Sequence, residues 1–357
     1  MKLPTLPPNI SVLDIKTNME YYDEYYKLLQ LNFPIEDELD DYDEMKQVFL
    51  TDSKIINVTQ ESDEDDESES DEEDEDSDDS DEEDEESPSN ITSKYVYNAN
   101  AKRQKKQDEK KEGPFPVTIS HFLYDEQKKK LIGIFYVEYY PISKVAQLNY
   151  FCLAPGYKGK KLGKYMLNKA YACTKQLHLK FIKWIKLRQA RTTLGRLPYA
   201  IGTETEFYFE YKKKEHNLPR EVVEHIECYD KEVLELKEEE SFFFLAETNK
   251  IGVEDGILKS EIRHAILEKL GFSHIPIKYI QPPLSDHQAP CYDLLLLALN
   301  SKNPIPSARL LLYMIEFGYS IEEGWTFPSS TWFNIVAKSL LKHEKITLSD
   351  EQAPWQE

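Results

Sequence analysis

Apolar and polar positions alternate along this chain with two distinct periods. Tyr22, Tyr26, Leu29 and Phe33 recur every three or four residues, which predicts helix within 18–50. Pro34 interrupts the pattern, and 35–50 has the composition of a second helix. From Val117 the β-formers dominate: VTISHFL and LIGIFYVEYY flank the polar turn YDEQKKK, the signature of an antiparallel hairpin. VAQLNYFCLA is a further strand, apolar on both faces towards its end and therefore central. Leu162, Met166, Ala170, Cys173 and Leu177 form one stripe of a helix over 162–177. SFFFLAET reads as a buried strand, 259–270 as a helix closed by Gly271, and IPIKYIQPPL and CYDLLLLAL as two more strands. SARLLLYMIEFGYS and TWFNIVAKSLLKHE read as amphipathic C-terminal helices. Between the helix at 162–177 and the strand SFFFLAET, 179–241 holds an Arg-rich stretch (Arg188, Arg191, Arg196), an aromatic strand at 207–211 and a charged helical stretch near 219–240.

Composition changes the picture in one place. The chain has 357 residues and a formal charge of −22, yet 61–86 alone carries 21 Asp or Glu, five Ser and no Lys or Arg. Subtracting those 21 charges leaves −1, so the acidity belongs to one tract. Such a run cannot bury enough apolar area to offset chain entropy and is expected to be disordered. It offers nucleic acid no basic face. It is either a solubilising spacer or a lure for basic proteins such as histones. Ser62, Ser68 and Ser80 each precede an acidic residue by three, the context of acid-directed kinases. Lys102–Lys106 is either an import signal or a partner for the acidic tract. Cys152, Cys173, Cys228 and Cys291 are too dispersed for a zinc site or a disulfide framework, so no metal is expected. No stretch reaches the ~18 apolar residues of a membrane span, which points to cytoplasm or nucleus.

The segment 148–167, LNYFCLAPGYKGKKLGKYML, carries the chemistry. Lys158, Lys160 and Lys161 crowd a helix N-terminus, with Lys164 one turn on. Cations are misplaced there, because the helix dipole is already positive. An anion among them resolves the conflict. Gly159 and Gly163 allow close backbone approach, and the first-turn N–H groups point at the ligand. A phosphate-bearing ligand follows; the competing reading is a solvated lysine cluster.

This segment resembles the acetyl-CoA signature of the GNAT acetyltransferases, in which a central strand meets Arg/Gln-x-x-Gly-x-Gly/Ala at a helix start. The six positions here are Lys158, Gly159, Lys160, Lys161, Leu162 and Gly163; Lys158 replaces Arg/Gln and Lys161 replaces the first glycine. Two helices, a hairpin and a central strand precede it in the family's order. IRHAILEKLGF at 262–272 looks like the family's late helix, and YIQPPL followed by DLLLLAL resembles the ending of a group of bacterial members.

The resemblance implies an α/β (α+β) fold with a mixed, mostly antiparallel central sheet flanked by helices. It divides the chain into N-terminal helices (1–51), an acidic/basic linker insert (52–113), a core (114–300, with 179–241 inserted) and a C-terminal helical extension (301–357). Acetyl-CoA is implied as co-substrate: pyrophosphate on 159–164, held by Lys158, Gly159, Lys160, Lys161, Leu162, Gly163 and Lys164, and pantetheine along Phe151, Cys152 and Leu153. An N–H near Leu153 polarises the thioester carbonyl. Replacement of the first glycine by Lys161 does not abolish binding of the pyrophosphate provided the φ of Lys161 stays negative, because its N–H donors remain. Glu138 and Glu247, carboxylates among apolar neighbours, are candidate bases for the acceptor amine. The family's tyrosine acid falls on Leu267, leaving Tyr150, Tyr279 or an unassisted thiolate. Arg263 is a phosphate or carboxylate binder or a structural partner. The implied reaction is direct acetyl transfer to a protein lysine, an N-terminus or a small amine. The alternative is a catalytically degenerate scaffold that binds basic proteins through its acidic tract.

Overall fold

The computed structural model describes residues 5–33, 39, 41–50, 116–141, 143–193, 218–233, 242–253, 258–283, 289–299, 304–321 and 327–349. The acidic tract, the basic run at 102–111 and the aromatic strand at 207–211 lie outside them. In chain order come β1 (Ile10–Asp14), α1 (Tyr22–Asn32), α2 (42–50), β2 (Val117–Asp125), β3 (Lys130–Tyr140) and β4 (Val145–Leu153). They are followed by α3 (Leu162–Thr193), α4 (Arg220–Val233), β5 (Phe243–Asn249), α5 (Ser260–Leu270), β6 (Phe272–His274) and β7 (Leu294–Leu299). The last are β8 (Ile305–Pro306), α6 (Ser307–Ile321), α7 (Thr331–Leu340) and β9 (Lys345–Ile346).

Seven strands form one sheet in the order β1-β2-β3-β4-β5-β7-β6. Every pairing is antiparallel except β4 with β5. This is the mixed, mostly antiparallel sheet flanked by helices that the resemblance implies. Its apolar side chains fall into two clusters. One gathers Tyr22, Tyr25 and Phe49 of α1 and α2 with Phe135, Tyr136 and Tyr150 of the sheet and Leu162, Met166 and Ala170 of α3. The other sets Tyr140, Val145, Leu245 and Leu296 against α4, α6 and α7.

Several elements differ from expectation. β1 has no strong sequence signal: it is five residues long and only half-buried, and it exists because Ile10–Asp14 pairs with His121–Asp125, over a hundred positions away. Of the second helix expected over 35–50, helix is described at 42–50, and residues 35–38 and 40 lie outside the described residues. The stripe expected to end at Leu177 continues as helix to Thr193. IPIKYIQPPL is not a strand, since Pro276, Pro282 and Pro283 lack ladder donors; it contributes one bridge, Gln281 to Cys291. Nor is α6 amphipathic. Every residue from 307 to 318 is buried, so α6 is a core helix. Its charges are accommodated locally: Glu316 accepts from Ser143 N at 2.7 Å, and the Arg309 guanidinium lies 4.8 Å from the Phe243 ring centroid. Gly318 permits that packing, for a Cβ there would sit 2.8 Å from the Phe327 ring.

Candidate active site

Two features of the sheet set the site. First, β4 carries a bulge: Leu148 opposes Val137 and Tyr150 opposes Tyr136, leaving Asn149 unpaired between them. A bulge bends its strand. Second, the parallel pairing of β4 with β5 runs only from Val145↔Phe243 to Leu148↔Ala246. Past that point the strands part, β4 continuing to Leu153 and β5 to Asn249 without each other. The gap runs roughly 17 Å along β4, five residues at ~3.3 Å each.

The β4 wall of the gap exposes backbone. Ala154 N donates to Ile132 O at 2.8 Å, so Ile132 and Ala154 form a hydrogen-bonded pair. The alternation of an antiparallel ladder then turns the peptide groups of Leu153 and Phe151 away from β3, into the gap. Cys152 is turned the other way. Its thiol is buried and pushed up to about 12 by desolvation, so it is not a nucleophile.

At the end of β4 the chain makes a tight turn, Tyr157 N donating to Ala154 O at 3.2 Å, before α3 begins. Gly156 (φ 84°) and Gly159 (φ 80°) occupy the left-handed region, and a Cβ on Gly159 would meet nothing within 4 Å. That position needs glycine for its backbone angle, and among the described residues the space beside it is open. Gly163 has no positive φ, and its face meets the Phe151 ring at 3.9 Å. Lys158, Lys160, Lys161 and Lys164 are all exposed; no ion pair to them occurs among the described residues. Tyr165 N makes the first helical bond, to Lys161 O. The amides of Leu162, Gly163 and Lys164 therefore precede any intrahelical acceptor.

Lys161 departs from the expectation of a negative φ: it stands at 61°. A left-handed conformation costs a non-glycine residue about 1–2 kcal/mol. Lys161→Gly should therefore raise stability by roughly 0.5–1 kcal/mol, after the extra chain entropy of glycine is subtracted. Equilibrium denaturation of the two proteins measures it; a destabilised glycine variant would show that the lysine side chain stabilises the turn.

The carboxylates lie on one face of the sheet. Glu138 opposes Gln147, which opposes Leu245, and Glu247 is two residues further on β5. Tyr136 and Tyr140 donate to Glu138 at 3.3 and 2.8 Å. Glu247 accepts from the Tyr279 hydroxyl and, at 2.8 Å, from Gln281 Nε2. Tyr313 of α6 donates to Gln147. Desolvation pushes the Glu247 carboxyl up to about 7, against hydrogen bonds from Tyr279, Gln281 and Gln147 that pull it down. Burial holds the Tyr279, Tyr313 and Tyr140 hydroxyls well above the ordinary phenol range. Neither Glu138 nor Glu247 is ion-paired among the described residues.

Tyr150 lies on the same face, its ring 5.4 Å from Tyr136 and 5.3 Å from Phe33. Leu267 packs against the core. Arg263 donates to Leu258 O at 3.2 Å, just ahead of its own helix. Gln147, Gln281 and Tyr313 were not singled out by sequence. Gln147 is a lone amide in an apolar strand, which is a usable signal; Tyr313 in RLLLYMIEF gives none.

No family model matches the chain, and no curated protein sequence matches it. Solved structures do. An IAA acetyltransferase from Bacillus cereus ATCC 14579 aligns over 51% of this chain and 77% of its own, at 12% identity and a TM-score of 0.25. An acetyltransferase assigned to the GNAT family from Bacteroides thetaiotaomicron aligns over 62% and 81%, at 12% identity and 0.29. Dodecameric spermidine N-acetyltransferase from Vibrio cholerae aligns over 56% and 71%, at 12% identity and 0.25. TM-scores this low leave the chemistry to be argued from the site itself.

Proposed function

We propose that the chain is an N-acetyltransferase that moves an acetyl group from acetyl-CoA to an amine. One observation carries the reading: a parallel strand pair that separates after Leu148 and Ala246, with an anion-receptive loop at the far end of one arm and a carboxylate titrating near neutrality at the fork.

The residues present fit acetyl-CoA. The amides of Leu162, Gly163 and Lys164, the open approach at Gly159 and the lysines around them suit a pyrophosphate. The outward peptide groups of Phe151 and Leu153 suit an extended amide-bearing arm, paired as an added strand would be. When bound, acetyl-CoA supplies the acyl group as a thioester. Leu153 N–H donates to the carbonyl oxygen and stabilises charge developing there. An amine attacks only when neutral, so Glu247, with its proton affinity near pH 7, takes the ammonium's proton before attack; as the N–C bond forms and the C–S bond breaks, the nitrogen's second proton passes to water. Tyr279 holds its own proton too tightly to release it to a thiolate, so it orients Glu247. The departing thiolate leaves unassisted, as the low pKa of a thiol allows, or is protonated by Tyr150. The buried thiol of Cys152 supports transfer without an acyl-enzyme.

The acceptor is a cation before reaction. Carboxylates shielded from water are ordinarily paired, and the ammonium of a lysine side chain, a protein N-terminus or a small amine supplies what Glu138 and Glu247 lack. Thermal denaturation with and without acetyl-CoA, together with thiol release over a panel of small amines and basic proteins, tests the reading. Stabilisation and turnover with at least one acceptor are expected. Stabilisation without turnover on any acceptor would instead favour the degenerate scaffold, which the left-handed Lys161 and the apolar Leu267 also suit.

A further inference from the structure

The loop after β4 is fastened to the β2–β3 turn at one residue. Tyr157 is buried, and its hydroxyl donates to Asp125 Oδ2 at 2.7 Å. Asp125 Oδ1 accepts from Asn9 Nδ2 and from the backbone N–H of Gln127 and Lys128, each at 3.1 Å. These neutral donors shape the turn, and the charge of the carboxylate also acts on Lys128. Two ammonium groups close on the same ring: Lys128 Nζ lies 4.8 Å and Lys160 Nζ 4.7 Å from the Tyr157 centroid. Neighbouring Lys129 has a different fate, 3.6 Å from Glu126. Lys128 alone of that pair turns towards the loop.

Holding two long cationic side chains together on one ring is costly. Each gives up rotamer freedom, and like charges repel. Cation–π attraction offsets part of this. Tyr157 is itself buried, which fixes the ring that both cations contact, and contact with the Tyr157 hydroxyl holds the Lys128 ammonium above its ordinary range. The platform belongs to two elements distant in sequence, a hairpin turn and the anion loop, and it lies at the loop's outer side, before the helix amides begin.

We infer that Lys128 and Lys160, seated on Tyr157, form a second anion subsite that reads a phosphate monoester, the ribose 3′-phosphate of coenzyme A. The inference rests on the acetyl-CoA reading. The diphosphate is already served by the amides of Leu162, Gly163 and Lys164. The remaining phosphate carries close to two charges at neutral pH and suits two ammonium groups, each within 5 Å of the Tyr157 ring centroid, rather than one. Tyr157 is a positioning residue: it sets where both cations stand.

The test is titration calorimetry of the full chain with coenzyme A and with 3′-dephospho-coenzyme A, for the wild type, Lys128→Ala and Tyr157→Phe. The wild type is expected to bind coenzyme A about tenfold more tightly than the dephospho form, equivalent to ~1.4 kcal/mol. Lys128→Ala, an exposed change that leaves folding intact, should bring coenzyme A affinity down towards that of the dephospho form and leave the latter unchanged. Tyr157→Phe keeps the ring but loses the bond to Asp125, and should lower the ratio partway. Equal wild-type affinities, or a Lys128→Ala variant weakened equally for both ligands, would overturn the subsite while leaving the acetyl-CoA reading intact. Binding of neither nucleotide would overturn both.

Discussion

Glu247→Gln lowers kcat by about 10²- to 10⁴-fold while leaving the KM for acetyl-CoA nearly unchanged. The amide fills the carboxylate's volume and can still meet Tyr279 and Gln281, but it cannot take a proton from the acceptor amine. Wild-type activity should rise with pH through about 7 and then level, because the Glu247 carboxyl must be ionised to act and burial pushes it up to about 7. The residual activity of the variant should lack that step. Thiol release measured from mildly acidic to mildly alkaline pH gives both results at once. A variant with near-wild-type kcat would move the base elsewhere, and Glu138, on the same face, becomes the next residue to change.

The same carboxyl leaves a mark on stability, and its sign is opposite to that of an ordinary paired acid. The folded protein keeps the Glu247 proton up to about pH 7, whereas the unfolded chain loses it near the ordinary carboxyl value of 4.5. Between those limits the native state binds more protons than the unfolded one, so this group's contribution falls as pH rises. It is fully present below the unfolded value and gone above about 7. Glu247→Gln removes the titration. Its melting temperature relative to wild type should therefore climb across that interval and be flat outside it.

Why were some of these features legible in the sequence and others not? The hairpin, β4 and α3 announce themselves because period-2 and period-3.6 patterns are local, and the glycines of the loop because a left-handed turn admits few residues. The Gly271 cap, at φ 99°, is of the same kind. Non-local features were hidden. β1 is defined by a partner over a hundred residues away, and nothing in NISVLD requires it. The bulge at Asn149 leaves no trace in a continuous apolar run, yet it sits where the two strands part. Glu247 was visible as a carboxylate in an apolar strand, but not the donors that surround it: Tyr279 and Gln281 come from a Pro-rich segment that mimics a strand, and Tyr313 from a helix whose apolar positions go all the way round. Lys161 shows the limit of motif reasoning. Its place in the pattern was clear, and its backbone angle was not.

Lys158→Glu together with Lys160→Glu abolishes stabilisation by acetyl-CoA while leaving the unliganded protein as stable as before or slightly more so. The two halves of this expectation come from opposite signs of the same field. Without ligand, lysines beside a helix N-terminus are unfavourable, and acidic residues near it are worth about 0.3–1 kcal/mol within the first turn. Both positions are exposed and precede Leu162; the change gives up the contact of the Lys160 ammonium with the Tyr157 ring, which the relief at the helix end offsets. With ligand, two attractive contacts to phosphate become two repulsive ones, and an affinity loss of at least about 100-fold, ~2.7 kcal/mol, is expected. At a ligand concentration near 100 times the wild-type dissociation constant, wild type gains about 2.7 kcal/mol from binding, nearly all of which the variant forgoes. A generally destabilised variant would instead melt early in both conditions, so the pair of melting curves separates loss of a site from loss of a fold. High salt should shrink the wild-type shift as well, since the contacts are exposed and screened. A double variant that acetyl-CoA stabilises as well as it does the wild type would place the nucleotide away from the turn between β4 and α3, and the forked strands would need another explanation.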